Sequence, residues 1–80
     1  MVMVMKSEEL LKQLLDITIK WDFDGAVPQS QKIQCMEIGE MLNNLGGLHF
    51  MTEAYYHVTN RQPAASVIRV FWDGIGGWQM

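Results

Sequence analysis

Three residues in the second half of the chain carry side chains suited to metal chemistry. His49, Glu53 and His57 follow one another at intervals of four residues, so on a helix they share one face. Imidazole nitrogens and carboxylate oxygens are ligands for zinc, nickel or iron. The two histidines, however, are two turns or about 12 Å apart along a helix axis. One ion cannot reach both without help from another chain, so we predict an unmetallated helix edge, either solvated or at an interface.

The acidic stretch DFDG permits comparison with the calcium loop of an EF-hand. If Gly25 takes the glycine position of that loop, Asp22 and Asp24 fall on ligand positions. The first ligand would then be Lys20 and the closing glutamate would be Gln31. Because two essential ligands are missing, the stretch predicts an acidic helix end that runs into a turn.

Nucleophilic and dinucleotide chemistry are equally poorly supported. Cys35 and His49 are 14 residues apart, about 21 Å along a continuous helix, whereas a Cys/His pair needs about 3 Å. Cys35 stands among small and apolar residues, which is typical of a buried, inert thiol. The late GIGG lacks the G-x-G-x-x-G pattern and has no room after it for a phosphate-binding helix. We expect no catalytic residue and no cofactor, which argues against an enzyme.

Composition predicts a small domain with more apolar surface than it can bury alone. Of 80 residues 49% are hydrophobic, with three Trp and one Cys, and a chain of this size buries only about 60–65% of its unfolded surface. The single cysteine excludes an internal disulfide framework. Oligomerisation would hide the excess, so we predict a homodimer.

Charge and hydropathy exclude further partner classes. The net charge is −3 and the six basic residues are scattered singly, whereas nucleic-acid binding needs clustered cations. No apolar run approaches the roughly 20 residues of a membrane span, and MVMVM is too short for the core of a signal peptide. We predict a cytoplasmic protein that binds neither nucleic acid nor membrane.

The elements that position these residues are helices within one domain, residues 1–80. The segment SEELLKQLLDITIKW predicts a first helix with Ser7 as N-cap and a stripe of large apolar residues at helical spacing. The members of this stripe are Leu10, Leu14, Ile17 and Trp21. Residues 1–6 receive little weight, because several methionines there could each be a start or belong to a cloning scar; this part could be disordered.

A central segment from about 30 to 60 has apolar character on two faces. One broad stripe runs through Gly46-Gly47, so this segment is either one long helix or two helices that break at these glycines. Its members are Met41, Leu45, Leu48, Met51, Thr52, Tyr55 and Thr59. The second stripe contains small residues and is the predicted dimer interface; the alternative is that it packs on the C-terminal segment of the same chain. Its members are Cys35, Gly39, Leu42, Gly46 and Phe50.

The C-terminal segment combines aromatic residues with glycines. Pro63 and two alanines favour a helix over about 64–72, although its β-branched and aromatic residues leave a strand as the alternative. The glycines after it would let the chain fold back. Trp72, Ile75 and Trp78 are then the predicted anchors, in the core or between subunits.

Two segments, IGEMLNNLGGLHFM and WDGIGGW, resemble a group of short bacterial proteins of unassigned function. These proteins carry an I-G-x-x-L-N-x-x-G-G helix followed by a C-terminal W-D-G-I-G-x-W. The resemblance covers roughly residues 38–51 and 72–78. It implies a bacterial origin and no activity, and no functional residue is carried over from it.

These observations together predict an all-α protein, a small bundle of three or four helices with a long central helix. The first functional hypothesis is a homodimeric interaction or adaptor protein without catalytic activity. The alternative is a small-molecule- or metal-binding protein. Its pocket would lie near His49, Glu53, Tyr56, His57 and the C-terminal tryptophans.

Overall fold

The computed structural model describes residues 2–22 and 25–78, with side chains from Glu8 onward. Helix α1 is Val2–Thr18 and helix α2 is Gln29–Arg61; a 3₁₀ helix, Pro63–Val67, leads into the short α3, Ile68–Phe71. The described residues contain no strand, which confirms the all-α prediction and excludes the strand alternative for residues 64–72. Asp24, one of the positions compared with a calcium loop, lies outside the described residues.

Helix α1 begins earlier and ends earlier than predicted. It starts at Val2, so Ser7 lies inside the helix and the prediction that Ser7 caps it was wrong. It ends at Thr18, whose buried hydroxyl donates to the Leu15 carbonyl oxygen at 3.2 Å. This bond gives the polar side chain a partner at the helix end. The inward face is apolar, with Leu10 and Leu14 buried.

Helix α2 breaks at Gly47, which decides between the two predicted forms of the central segment. Gly47 has φ 69° and ψ −157°, a backbone conformation that is essentially restricted to glycine. The helix therefore consists of an N-terminal arm, residues 29–46, and a C-terminal arm, residues 48–61. Glycine is needed here for its conformation, since no atom would crowd an added Cβ at Gly47.

A short tail, residues 72–78, follows α3 and folds back on itself. Gly74 and Gly76 have positive φ values of 91° and 56°, which glycine adopts without the strain of a Cβ. The turn is closed by backbone bonds: the Gly74 N–H donates to the Trp78 carbonyl oxygen at 3.1 Å, and the Trp78 N–H donates to the Ile75 carbonyl oxygen at 3.0 Å. The tail is thus ordered structure.

The core lies where α1, both arms of α2, the 3₁₀ helix, α3 and the tail meet. Its largest fully buried apolar side chains come from all these parts except the 3₁₀ helix, which contributes Ala64 and Ala65. They are Leu14, Leu42, Met51, Val58, Ile68 and Trp72. No described helix has both the length and the apolar character needed to cross a membrane.

Candidate functional site

The small-residue stripe of the N-terminal arm faces the tail of its own chain. The indole of Trp72 lies directly on Gly39, where an added Cβ would stand 2.6 Å from the Trp72 Nε1 atom. The same Nε1–H donates to the Cys35 carbonyl oxygen at 2.7 Å. Cys35, Gly39 and Leu42 are all buried. We call this contact between the N-terminal arm and the tail the seam.

The seam covers part of the predicted dimer interface. Three of its five residues are inside the chain, and a second copy could reach them only by displacing the tail. Gly46 is exposed and Phe50 is half-buried, and the Phe50 ring covers the Cα of Gly46 one turn away. The stripe therefore has a covered part, Cys35, Gly39 and Leu42, and an open end, Gly46 and Phe50. For the first three residues this agrees with the alternative that the stripe packs on the C-terminal segment of the same chain.

Residues 38–51 and residues 72–78 meet at the seam. Besides the Gly39 contact, the side-chain amide of Asn43 lies against Gly76, where there is no space for a Cβ. Trp72 and Trp78 are buried at 0% and 8% exposure, and Ile75 is half-buried. Gly39, Asn43, Trp72 and Gly76 of these segments are thus explained by packing of a helix against a tail.

Cys35 has the environment of an unreactive thiol. The side chain is fully buried, and loss of solvation raises the pKa of the thiol from 9.0 to about 11. Since the thiolate is the reactive form, Cys35 is protonated at neutral pH. The residue lies on the N-terminal arm, and the histidines lie on the other arm beyond the break.

The histidines and the glutamate of the predicted helix edge form two separate pairs. His49 Nε2 and Glu53 Oε1 are 3.2 Å apart, and both side chains are mostly exposed. His57 instead contacts Arg61, whose Nη1 lies 3.3 Å from His57 Nδ1 and donates to the His57 carbonyl oxygen at 3.1 Å. The described residues contain no group of three His, Cys, Asp or Glu side chains placed to hold a metal ion.

A groove of about 430 Å³ lies between the C-terminal arm, α3 and the tail. We call it the aromatic groove, after its three aromatic residues. It is lined by Leu48, Thr52, Tyr55, Tyr56, Arg69, Gly77 and Trp78. Tyr56 and Trp78 thus lie together, as the predicted pocket requires, but His49, Glu53 and His57 do not line this groove.

One wall of the aromatic groove is fixed by hydrogen bonds and ring contacts. The Trp78 Nε1–H donates to the Arg69 carbonyl oxygen at 3.0 Å, and the Tyr55 hydroxyl donates to the Ser66 carbonyl oxygen at 3.3 Å. The ring of Trp78 makes edge contacts with Trp72 at 5.1 Å and with Tyr55 at 5.5 Å between centroids. Such contacts hold an aromatic surface in one orientation.

The opposite rim is exposed and apolar. Leu48 is 45% exposed and Tyr56 is 59% exposed, and the Tyr56 ring rests edge-on against the fixed Tyr55 ring. Sequence reasoning assigned Leu48 to a buried stripe and gave Arg69 no role. The sequence signal for this surface was the adjacent pair Tyr55 and Tyr56. Two neighbouring helix positions cannot both face the same core, so one of the two rings must point away from it.

Comparison of the chain with protein families, with characterised proteins and with solved structures gave no match. Function is therefore argued from the surface chemistry of this chain alone.

Proposed function

We propose that this protein acts by binding another protein surface through the aromatic groove, and that the partner is a second copy of the same chain. The observation that carries the proposal is the pair of large apolar side chains, Leu48 and Tyr56, left open beside a rigid aromatic wall. Tyr, Trp and Arg are the residue types most enriched among energetically important interface positions. The groove contains all three types, in Tyr56, Trp78 and Arg69.

Self-association is favoured by the spacing of these residues on the C-terminal arm. Leu48 and Tyr56 are each four residues from Thr52, and all three line the groove. In a two-fold dimer the same patch meets itself, so that residue i contacts residue j and j contacts i. Two C-terminal arms that pack antiparallel about Thr52 would place Leu48 of each copy against Tyr56 of the other.

The size of the patch sets the expected strength. The C-terminal arm has 14 residues (48–61), about 21 Å of helix, and the tail and Arg69 extend the patch to one side. A contact of this extent falls at the lower end of specific interfaces, about 1,200 Å² in total. We therefore expect a dimer with a dissociation constant in the micromolar range.

The cellular setting belongs to the same proposal. A single cysteine that is buried and protonated is compatible with a reducing compartment, which supports a cytoplasmic location. The resemblance of residues 38–51 and 72–78 to short bacterial proteins supports a bacterial origin. Neither inference assigns a biological process.

The test is the mass in solution over a dilution series. Sedimentation equilibrium from about 1 to 500 µM should move from the 9.2 kDa chain mass toward twice that value, as a micromolar dissociation constant requires. A chain that stays monomeric at every concentration contradicts self-association and leaves a different protein as the partner to be sought.

Matched substitutions locate the contact. Leu48→Glu and Tyr56→Ser should each give a monomer without change in helix content, since both side chains are about half exposed. Their melting temperatures should match that of the parent at concentrations where the parent is also monomeric. Ile33→Glu is the control: Ile33 is 46% exposed, as Leu48 is 45% exposed, but it lies on the N-terminal arm outside the groove. Dissociation by Ile33→Glu to the same degree would assign the contact to another face.

A further inference from the structure

A second groove, of about 560 Å³, shares Arg69 with the aromatic groove but none of its other lining residues. It runs between the connection that joins α1 to α2, the first turns of α2, and the 3₁₀ helix with α3. We call it the cationic groove, because Lys32 and Arg69 border it from two different elements. Its volume is within the range of small-molecule sites, about 300–1,000 Å³.

The charges around the cationic groove favour an anion. Neither Lys32 nor Arg69 forms an ion pair with a described residue, and Lys32 Nζ is held 5.5 Å above the centroid of the Phe71 ring. Among the described residues that line the groove, Asp22 is the sole carboxylate. Among the described residues that line the groove, the two cations thus outnumber the one carboxylate, on a chain whose net charge is −3.

Most of the remaining lining is apolar and partly rigid. Trp21 and Phe71 contact edge to face with 6.3 Å between ring centroids. The Trp21 Nε1–H donates to Gln31 Oε1 at 2.8 Å, which fixes the plane of the indole. Val27 and Val67 also line the groove. A ligand that fits these walls must have an apolar body beside its charge.

We propose that the cationic groove binds a small organic carboxylate with an aromatic or branched apolar body. The guanidinium of Arg69 offers paired donors that match the two oxygens of a carboxylate, and the ammonium of Lys32 supplies a point charge. The apolar body lies against Trp21 and Phe71. A free acid and the C terminus of a short peptide share this chemistry, and the proposal commits to the free acid.

The test uses 4-phenylbutyrate as the probe and its uncharged amide as the matched control. In ¹⁵N-labelled protein, the indole N–H signal of Trp21, identified by its loss in Trp21→Phe, should shift with the acid. The amide should bind at least about fivefold more weakly, the effect of one favourable charge contact at a protein surface. Equal affinities for acid and amide would overturn the proposal.

Substitutions decide whether the named charges are responsible. Lys32→Gln and Arg69→Gln should each weaken binding of the acid about two- to fivefold, and Lys32→Arg should retain it. Asp22→Asn should strengthen binding by a similar factor, because it removes a like charge. Lys12→Gln, on the exposed side of α1 and away from the groove, should have no effect; an equal loss there, or none in Lys32→Gln, would overturn the assignment.

Two further measurements distinguish this proposal from self-association through the aromatic groove and from binding of a peptide C terminus. Lys32 does not line the aromatic groove, so Lys32→Gln should leave the solution mass unchanged while it weakens binding of the acid. The peptide acetyl-Ala-Phe with a free carboxylate should bind no more than about tenfold more tightly than 4-phenylbutyrate, a difference of about 1.4 kcal/mol. A larger preference for the peptide would overturn the free acid in favour of a peptide C terminus.

Discussion

Each arm of α2 has an apolar face, and the two faces differ in whether the same chain covers them. On the N-terminal arm this face consists of small residues and is closed by the tail, with the indole of Trp72 seated on Gly39. On the C-terminal arm the outward positions are large, and Leu48 and Tyr56 stay 45% and 59% exposed. Residue size thus separates a face that a neighbouring segment of the chain can cover from one that stays exposed.

The break at Gly47 makes this division possible. In an uninterrupted helix the small-residue stripe would continue along one straight face. The non-helical conformation of Gly47 introduces a kink, so the C-terminal arm does not continue that face. The C-terminal arm still buries an inner face, with Met51, Ala54 and Val58 in the core. Its outer face then lies beyond the seam and beside the end of the tail.

The largest effect is expected when the end of the tail is removed. A chain that ends after Asp73 loses Ile75 and Trp78, and the removal of one buried aromatic side chain costs about 3–5 kcal/mol. We expect a comparable loss in the free energy of unfolding, measured by urea denaturation. Val70→Ala, at a position 45% exposed, serves as control and should change stability by less than about 0.5 kcal/mol. A truncated chain of unaltered stability would mean that the part of the tail after Asp73 does not stabilise the fold.

Much of this division could be predicted from the sequence, and some of it could not. Helical spacing identified α1 and α2, Pro63 and the two alanines after it indicated the helical nature of residues 64–72, and the glycine pair identified the break to within one residue. Spacing also showed that α2 has two apolar faces. It does not show what covers each face, because a helical wheel contains no information on where a distant tail returns; this is why Gly39 was assigned to a dimer interface.

The start of α1 and the aromatic groove illustrate two other limits. A good capping residue such as Ser7 is only one of several places where a helix can begin, and the residues before it also continue the helix to Val2. The groove combines Tyr56, Arg69 and Trp78 from three separate elements. Such a combination depends on tertiary packing, which local periodicity does not specify.

The second prediction concerns the buried thiol of the closed face. The pKa of Cys35 is raised from 9.0 to about 11 in the folded chain, so between these values the unfolded chain has released a proton that the folded chain still holds. Stability must then fall as the pH rises. A difference of two pKa units corresponds to about 2–3 kcal/mol, fully present below pH 9 and lost as the pH approaches 11.

Cys35→Ala isolates this contribution from other groups that titrate in alkali. The variant should be less stable than the parent at pH 8, by about 1 kcal/mol for the small cavity. Its free energy of unfolding should nevertheless fall less steeply between pH 9 and 11, as followed by urea denaturation at each pH. Parallel pH profiles for the two proteins would show that the thiol is not desolvated at the seam.

The third prediction compares two glycines of the small-residue stripe. Gly39→Ala places a methyl group against the buried Trp72 ring, and overpacking of this kind costs about 1–3 kcal/mol, offset in part by the roughly 1 kcal/mol gain in helix propensity. We expect a net loss of up to about 2 kcal/mol. Gly46→Ala meets only the half-exposed Phe50 ring, which can rotate away, so the propensity gain should leave the variant neutral or slightly more stable.

Thermal unfolding of both variants measures this difference directly. In a domain of this size 1 kcal/mol corresponds to about 4–8 °C in melting temperature. Equal shifts for Gly39→Ala and Gly46→Ala would mean that the Trp72 ring is not seated tightly against the N-terminal arm, and the distinction between the closed and open ends of the stripe would disappear.

The smallest effect on stability is expected from zinc or nickel added to the purified protein, whose candidate ligands lie on the C-terminal arm. Because His49 pairs with Glu53 and His57 contacts Arg61, no single ion has two imidazoles within reach in one chain. A site occupied at 100 times its dissociation constant would stabilise the fold by about 2.7 kcal/mol, more than 10 °C in a domain of this size. We expect a shift below about 1 °C at 100 µM metal.

A large rise that is lost in both His49→Ala and His57→Ala would require the two histidines to share an ion. Two copies would then have to bring the imidazoles together, and the exposed face of the C-terminal arm would be a metal-linked contact instead of an aromatic one.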